Sequence, residues 1–465
     1  MQKTRYIIQA IDANQYSDLL VTFAEFSKRP WSLLIDSAGS GKLSNQYDIM
    51  LHSPVFTVTC KNKKTVVTNT QTNIKKLSFD DPVEEARKLH AALKNSVISI
   101  DGAYPDNIPF IAGVAGILGY DLGRSFEDLP TPYTLCNKDG KDEYECPDMA
   151  VGIYQRSLIL DKVNGVIYDC RPEDQAPAAL NEKAEPEIPS FELTTPWRSN
   201  FSKPDYIKGL NKIHHYLTAG DCYQVNFAQR FSAQYQGSEW HAYLKLREAN
   251  KAPFSAFMCL PESSILSISP ERFLSVRNKN VQTKPIKGTR PRSSDPIIDE
   301  KNAQALLNST KDRAENLMIV DLLRNDISKH CSPHSVTVPK SFELESYAAV
   351  HHMVTTIEGK LDEESDPFTL LRDAFPGGSI TGAPKIRAMQ IIDELEPNAR
   401  NVYCGSVGYI GLQDDMDTSI CIRTLLCEKG KVYCWAGGGI VLDSDPECEY
   451  QETLDKVNKI LPVLS

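Results

Sequence analysis

Apolar positions along this chain recur with two periods. Short alternating or continuous runs predict strands at residues 31–37, 48–51, 55–58, 158–160, 166–168, 222–231, 255–260 and 265–268. Asn164-Gly165, between two of them, is the dipeptide that suits a tight hairpin. A glycine-rich run over 113–119 reads as a further buried strand, and 405–412, 418–426 and 432–440 predict a meander turning at Glu428-Lys429-Gly430. Helical spacing is as plain. Val83, Ala86, Leu89 and Leu93 form one stripe behind Asp81-Pro82, and Ile207, Leu210, Ile213 and Leu217 form another behind Ser202 and Pro204. More helices are predicted at 240–247, from Lys311 through Leu323, after Pro384, and at the C-terminus, where Leu454, Val457 and Leu461 share a face. Strands and helices come in runs, without strict alternation, which predicts an α+β fold with largely antiparallel sheets. Pro172, Pro177, Pro186 and Pro189 interrupt a stretch rich in Ala, Glu and Lys, predicting a linker over 171–199 between an N-terminal region, 1–170, and a second region, 200–465.

Charge and cysteine usage narrow the field. The net charge of −10 argues against nucleic acid or an anionic membrane surface as partner, yet leaves room for a small anion in a local cationic pocket. The 12 cysteines are scattered singly, with no Cys-x-x-Cys pair, as expected of free thiols in a reducing cytoplasm. Met1 to Tyr6 lacks an apolar signal core, and no run of about 18 apolar residues could span a bilayer.

Several segments carry candidate chemistry. In Pro285-Ile286-Lys287-Gly288-Thr289-Arg290 a lysine is placed at the end of a predicted strand, beside a glycine that permits close approach. A lysine attacks carbon only when neutral, which requires burial or nearby cations such as Lys284 and Arg290. A basic loop of solvated cations is the alternative. Asp312 and Glu315 share a helix face, as do Glu449 and Glu452 on the C-terminal helix. Like charges at that spacing repel. A cation bridging the two helices, with oxygen ligands that suit Mg²⁺, is one reason to have both; two solvated faces is the other. Glu271 lies between strands as a candidate buried acid or an arginine partner. His352, on an apolar strand, reads as a core histidine. Arg423, mid-strand, needs an anionic partner from the protein or a ligand. Gly437-Gly438-Gly439 could offer amides to a carboxylate. The loop from Gly377 to Lys385 lacks phosphate-loop spacing.

Taken together these segments resemble the chorismate-utilising enzymes, the family of anthranilate synthase component I. The resemblance rests on Ala219-Gly220-Asp221-Cys222-Tyr223-Gln224-Val225-Asn226, Ser269-Pro270-Glu271-Arg272-Phe273, Pro285-Ile286-Lys287-Gly288-Thr289, Ala314-Glu315-Asn316-Leu317-Met318-Ile319-Val320-Asp321, Val350-His351-His352-Met353-Val354, Gly382-Ala383-Pro384-Lys385, Gly405-Ser406-Val407-Gly408-Tyr409 and Ser444-Asp445-Pro446-Glu447-Cys448-Glu449. It covers the second half of the chain and, more loosely, the first. It implies an α+β two-layer sandwich of largely antiparallel sheets with helices packed outside.

Anthranilate synthases carry alanine where this chain has Lys287. Lysine there is similar to the branch that makes 4-amino-4-deoxychorismate for 4-aminobenzoate and folate. The resemblance implies that the Lys287 amine adds at ring C2 and expels the C4 oxygen, after which ammonia attacks C4 and expels the lysine. It implies Glu271 as general acid, His352 as a third catalytic position, and Glu315 and Glu449 as Mg²⁺ ligands with Asp312 and Glu452 around them. Arg423, Tyr403, Thr381, Lys456 and the amides of Gly437, Gly438 and Gly439 are implied in holding substrate. A tryptophan pocket is implied at Ser37, Ser44, Asn45, Gln46, Tyr47, Pro253, Phe254 and Ser255; here Asp36 and the 38–43 loop depart from the family pattern, so an empty pocket is the alternative. No Gly-x-Cys-x-Gly-x-Gln segment occurs, so a separate glutamine amidotransferase subunit is the expected ammonia source. No pyridoxal-phosphate lyase segment follows residue 465, so 4-amino-4-deoxychorismate, not 4-aminobenzoate, is the expected product. The rivals are anthranilate or isochorismate production, and a catalytically silent subunit that only tethers an amidotransferase.

Overall fold

Two large β-sheets, one of 14 strands and one of 12, carry the structure. The computed structural model describes residues 1–15, 19–38, 46–127, 129, 144–180, 188–346 and 350–465. Pairing is antiparallel nearly throughout; Thr4–Asp12 beside Val97–Asp101 is a parallel exception. Both sheets draw strands from both ends of the chain. Leu33–Asp36 pairs with Phe254–Cys259, and Gly113–Leu118 pairs with Ser406–Gly411. Helices pack on the sheets: Lys385–Leu395 on Gln224–Gln236, Pro446–Val457 on Lys431–Ile440, and Thr310–Ser328 on Val350–Lys360. The architecture is the expected α+β class, with antiparallel sheets flanked by helices.

Local chemistry explains the helix starts that matter to the site. Ser309 accepts a hydrogen bond from the Asp312 amide at 3.3 Å, opening the helix that carries Asp312 and Glu315. Asp445 accepts from the Cys448 amide at 2.9 Å, opening the helix that carries Glu449 and Glu452. That last helix ends at Val457, and Leu461 belongs to a separate turn, Leu461–Leu464.

The predicted strand 418–426 is two strands. Met416–Ile420 lies in the 12-stranded sheet and Thr424–Glu428 in the 14-stranded one, so the chain crosses between sheets at Cys421–Arg423. Arg423 makes the turn with φ of +52°, a left-handed conformation outside regular strand geometry. The apolar pattern continued across the crossing because both strands are buried, and periodicity cannot register a change of partner.

Between the sheets and the helix Lys385–Leu395 lies Arg400, 1% exposed. Its guanidinium donates to Glu396 Oε2 at 2.9 Å and Oε1 at 2.6 Å, to the Ile380 carbonyl at 3.1 Å, and to the Asn226 carbonyl at 2.9 Å. Glu396 also accepts from the Ala228 amide at 2.9 Å. One ion pair thus ties the 377–384 loop to the strand beside it. Truncating Arg400 to methionine leaves a buried carboxylate without its counter-charge, and urea denaturation is expected to show a loss of about 3–5 kcal/mol.

Candidate active site

Lys287 is the second residue of the short strand Ile286–Pro291, not the last of the strand before it. Ile286 lies opposite Val354 and Thr289 opposite His352, so one extra residue is looped out between them. The bulge is made by Gly288 at φ of +78°, where a side chain would be strained. A Cβ at 288 would meet Leu306 Cδ1 at 2.7 Å and Asp312 Cγ at 2.9 Å. Glycine therefore does two things here. It re-aims Lys287, and it lets the helix bearing Asp312 and Glu315 press against the strand.

The Lys287 amine forms no ion pair within 4.0 Å among the described residues. Burial pushes its pKa down; Glu315 and Glu271 pull it up, Lys456 pushes it down again, and Glu452 pulls up more weakly. Glu271, between the strands Ser264–Ser269 and Arg272–Arg277, is 6% exposed. Burial raises its carboxyl to about 7, against the lowering effects of Lys287, the Ile286 amide and Ser379. The Ser379 hydroxyl donates to Glu271 Oε1 at 3.4 Å. A half-buried amine with depressed proton affinity and a buried carboxyl with raised affinity thus act on each other's charge, the pairing expected of a nucleophile and a general acid.

Helical spacing puts each acidic pair on one face, and the fold brings Glu315 of one pair and Glu449 of the other to a single ammonium. Burial raises the carboxyls of Glu315 and Glu449 above their ordinary range. Lys311 Nζ lies 4.0 Å from Glu315 Oε1 and 3.7 Å from Glu449 Oε1, and Ser444 donates to Glu449 Oε1 at 2.7 Å. Glu452 pairs with Lys456 at 2.6 Å, and that lysine lowers its pKa. Asp312 pairs with Arg290 at 3.3 Å. A Cβ on Gly438 would meet Glu449 Oε2 at 3.1 Å and Glu452 Oε1 at 3.5 Å, so glycine makes room for the carboxylates on the sheet. Among the described residues no group of three or more His, Cys, Asp or Glu side chains already converges on a metal-binding geometry. The donors fit a hard divalent cation in kind: two carboxylates from separate helices, already drawn to one ammonium as a stand-in cation.

Arg423, at the sheet crossing, is pushed down in pKa by burial and has no ion pair among the described residues. An arginine held there without a carboxylate partner suits an anionic ligand. Arg423 is also among the groups that, with burial, lower His352 to about 4, so the imidazole is neutral at physiological pH. His352 Nδ1 shares a hydrogen bond of 2.9 Å with the Thr289 hydroxyl, two residues from Lys287. Gly437, Gly438 and Gly439 lie within Lys431–Ile440. That strand pairs with Thr424–Glu428 only as far as Cys434, but with Gln224–Gln236 as far as Ile440, leaving the glycines' other edge without a strand partner. Lys456 Nζ donates to the Gly437 carbonyl at 2.8 Å. The Tyr403 ring stacks parallel to Trp435 at 6.1 Å. Thr381 turns inward: its hydroxyl donates to the Gly377 carbonyl at 3.1 Å.

The residues expected to form an N-terminal pocket line a separate cavity of about 510 Å³, which includes Ser37, Gln46, Tyr47, Pro253, Phe254 and Ser255 but neither Lys287 nor Glu271. Ser44 and Asn45 lie outside the described residues. Asp36 is taken up by Arg247, at 3.1 Å from Nη2, and by the Tyr243 hydroxyl at 3.0 Å. Ser37 donates to Asp48 at 2.9 Å.

An amine of lowered proton affinity, a carboxyl of raised proton affinity, two carboxylates near one ammonium and an arginine without an ion pair among the described residues form the candidate enzyme site. The chain belongs to the chorismate-binding enzymes, whose family model matches residues 43–462. It is 47% identical over 444 residues to aminodeoxychorismate synthase component 1 of Escherichia coli, covering 95% of each chain. It is 46% identical over 442 residues to the protein of that name from Salmonella typhimurium, covering 94% of each. The crystal structure of anthranilate synthase component I from Streptococcus pneumoniae superposes with a TM-score of 0.75 at 28% identity, over 91% of this chain and 95% of that one.

Three polar groups at the site were not anticipated. Lys311 could have been, since it lies four residues before Glu315 on one helix face. Ser379 reaches Glu271 only through the folding of the 377–384 loop, which no local pattern shows. Gln224 is fully buried with neither end of its carboxamide hydrogen-bonded among the described residues, and it lies against Gly439. It opens the strand Gln224–Gln236, and strand periodicity does not distinguish a buried polar residue at a site from its neighbours.

Glu271 holds its proton more tightly folded than unfolded, where its value is 4.5. Stability attributable to it is therefore lost as pH rises from about 4.5 to about 7. Glu271→Gln removes that loss. Urea denaturation is expected to find the variant more stable than the parent at pH 8, by up to about 3 kcal/mol, with the gap closing towards pH 4.

Proposed function

We propose that this chain is the chorismate-aminating component of an aminodeoxychorismate synthase, turning chorismate and ammonia into 4-amino-4-deoxychorismate. The observation that carries the proposal is the electrostatic coupling of the Lys287 amine, lowered in proton affinity, with the raised Glu271 carboxyl, in a chain nearly half identical to proteins of that name. Arg423, Tyr403 and the open edge at Gly437–Gly439 would hold the substrate's pyruvyl carboxylate. The neutral Lys287 amine adds to ring C2. The ring double bonds shift, the C4–O bond breaks, and the Glu271 proton leaves with the oxygen as water. Ammonia then forms a bond to C4 as the C2–N bond to Lys287 breaks, the double bonds return, and the Glu271 carboxylate takes the surplus proton. One difficult substitution becomes two allylic displacements, and the lysine is regenerated. His352, neutral and anchored by Thr289, positions the strand edge beside the ring.

Glu315 and Glu449 would hold Mg²⁺, with Glu452 and Asp312 around it; bound there, the ion neutralises the substrate's ring carboxylate. Ammonia comes from a partner glutamine amidotransferase, a reading supported by the relatives' designation as component 1. No helix among the described residues is long and apolar enough to cross a membrane, and every described cysteine is a free thiol, which supports a cytoplasmic setting. The 510 Å³ cavity at Ser37, Tyr47 and Phe254 is large enough for tryptophan, which we assign to it as a bound, non-reacting amino acid.

Supplied with chorismate, ammonium and Mg²⁺, the protein is expected to form 4-amino-4-deoxychorismate, identified by chromatography and mass. Lys287→Ala is expected to lower that product by about 10³-fold or more, since covalent catalysis at this centre is lost. Anthranilate or isochorismate as the parent's product, or full activity in Lys287→Ala, would contradict the proposal.

A further inference from the structure

The assignment of a divalent cation to Glu315 and Glu449 leaves one basic side chain beside both carboxylates without a role. Lys311 lies one turn before Glu315 on the same helix face. Its ammonium spans the gap to the second helix, 4.0 Å from Glu315 Oε1 and 3.7 Å from Glu449 Oε1. It also acts on Glu452. Neighbouring acids have their own cations: Glu452 has Lys456 at 2.6 Å and Asp312 has Arg290 at 3.3 Å. Lys311 differs from these in bridging the two helices, and its side chain remains 52% exposed.

We infer that Lys311 is a displaceable counter-ion. In the metal-free protein its ammonium holds Glu315 and Glu449 together; when a divalent cation enters between them it swings out into solvent. The inference rests on the metal assignment made above. Without a positive charge, two partly buried carboxylates from different helices repel each other and the helices part. With both an ammonium and a divalent ion on the same two carboxylates, the cations repel at the same short range. A flexible four-carbon stem that is half in water can leave at little cost. The site is thus kept assembled when empty, and the free protein binds its ion more weakly than the carboxylates alone would.

The test is titration of the full-length protein, without chorismate, with Mn²⁺ as a spectroscopically visible substitute for Mg²⁺, following free ion by electron paramagnetic resonance. Lys311→Met is expected to bind about tenfold more tightly, the effect of removing one competing charge at this range. Lys311→Arg, which keeps the charge, is expected to stay within about twofold of the parent. Metal-free Lys311→Met should melt at a lower temperature than the parent, and saturating Mn²⁺ should erase the difference. Glu449→Gln in the otherwise unchanged protein separates the two readings. If it abolishes Mn²⁺ binding while Lys311→Met binds no more tightly than the parent, the counter-ion role is overturned and the metal assignment stands. If Mn²⁺ binding is indifferent to Glu449→Gln, or absent from both parent and Lys311→Met, both fall.

Discussion

The proposed chemistry of this molecule depends on one constraint, the lowered proton affinity of a single amine. Burying a charged ammonium costs several kcal/mol, and that cost favours the neutral, nucleophilic form of Lys287. Glu315 and Glu271 work against it by stabilising the charge, yet the net direction remains downward. The same burial that disarms the lysine's charge lifts the Glu271 carboxyl to about 7. One dry environment therefore lowers the proton affinity of the amine and raises that of the carboxyl. In water the two would exchange a proton and neither could do its work.

The sandwich exists, in functional terms, to hold that contradiction in place. The bulge at Gly288 turns Lys287 inward while admitting Asp312 to within contact of the strand. The crossing at Arg423 delivers a guanidinium from the point where the chain leaves one sheet for the other. Two capped helices, more than a hundred residues apart in sequence, lay their carboxylates against Gly438 and Lys311. The Arg400–Glu396 pair locks the loop that brings Ser379 to Glu271. Each device belongs to a turn, a bulge or a helix end, where backbone departs from regular geometry, and the regular elements between them supply rigidity.

How much of this could be read from the residues follows from the range of the interactions concerned. Helix caps, hairpins and buried strands are local, and Asp81, Ser202 and Asn164-Gly165 declared theirs. The shared faces of Asp312 with Glu315 and of Glu449 with Glu452 were legible too, because helical spacing alone sets them. That these faces meet, and that Lys311 joins them, depends on pairing between distant strands, which no local pattern encodes. Arg423 shows the limit most clearly. Its apolar neighbours made it look like a strand interior, whereas the burial there comes from two different sheets. The resemblance to chorismate-utilising enzymes supplied roles for Lys287 and Glu271 that neither spacing nor composition could. In the fold their proton affinities move in opposite directions, down for Lys287 and up for Glu271, the directions the proposed roles need.

A nucleophilic lysine leaves a trace that a merely electrostatic one does not. The most direct measurement is the intact mass of the protein after brief exposure to chorismate and Mg²⁺ with ammonia withheld, so that the second displacement cannot release the adduct. The account predicts a mass increase of one chorismate less one water, mapped by peptide fragmentation to Lys287 and discharged when ammonium is added. An unmodified chain under conditions in which the same preparation turns over with ammonia would contradict it.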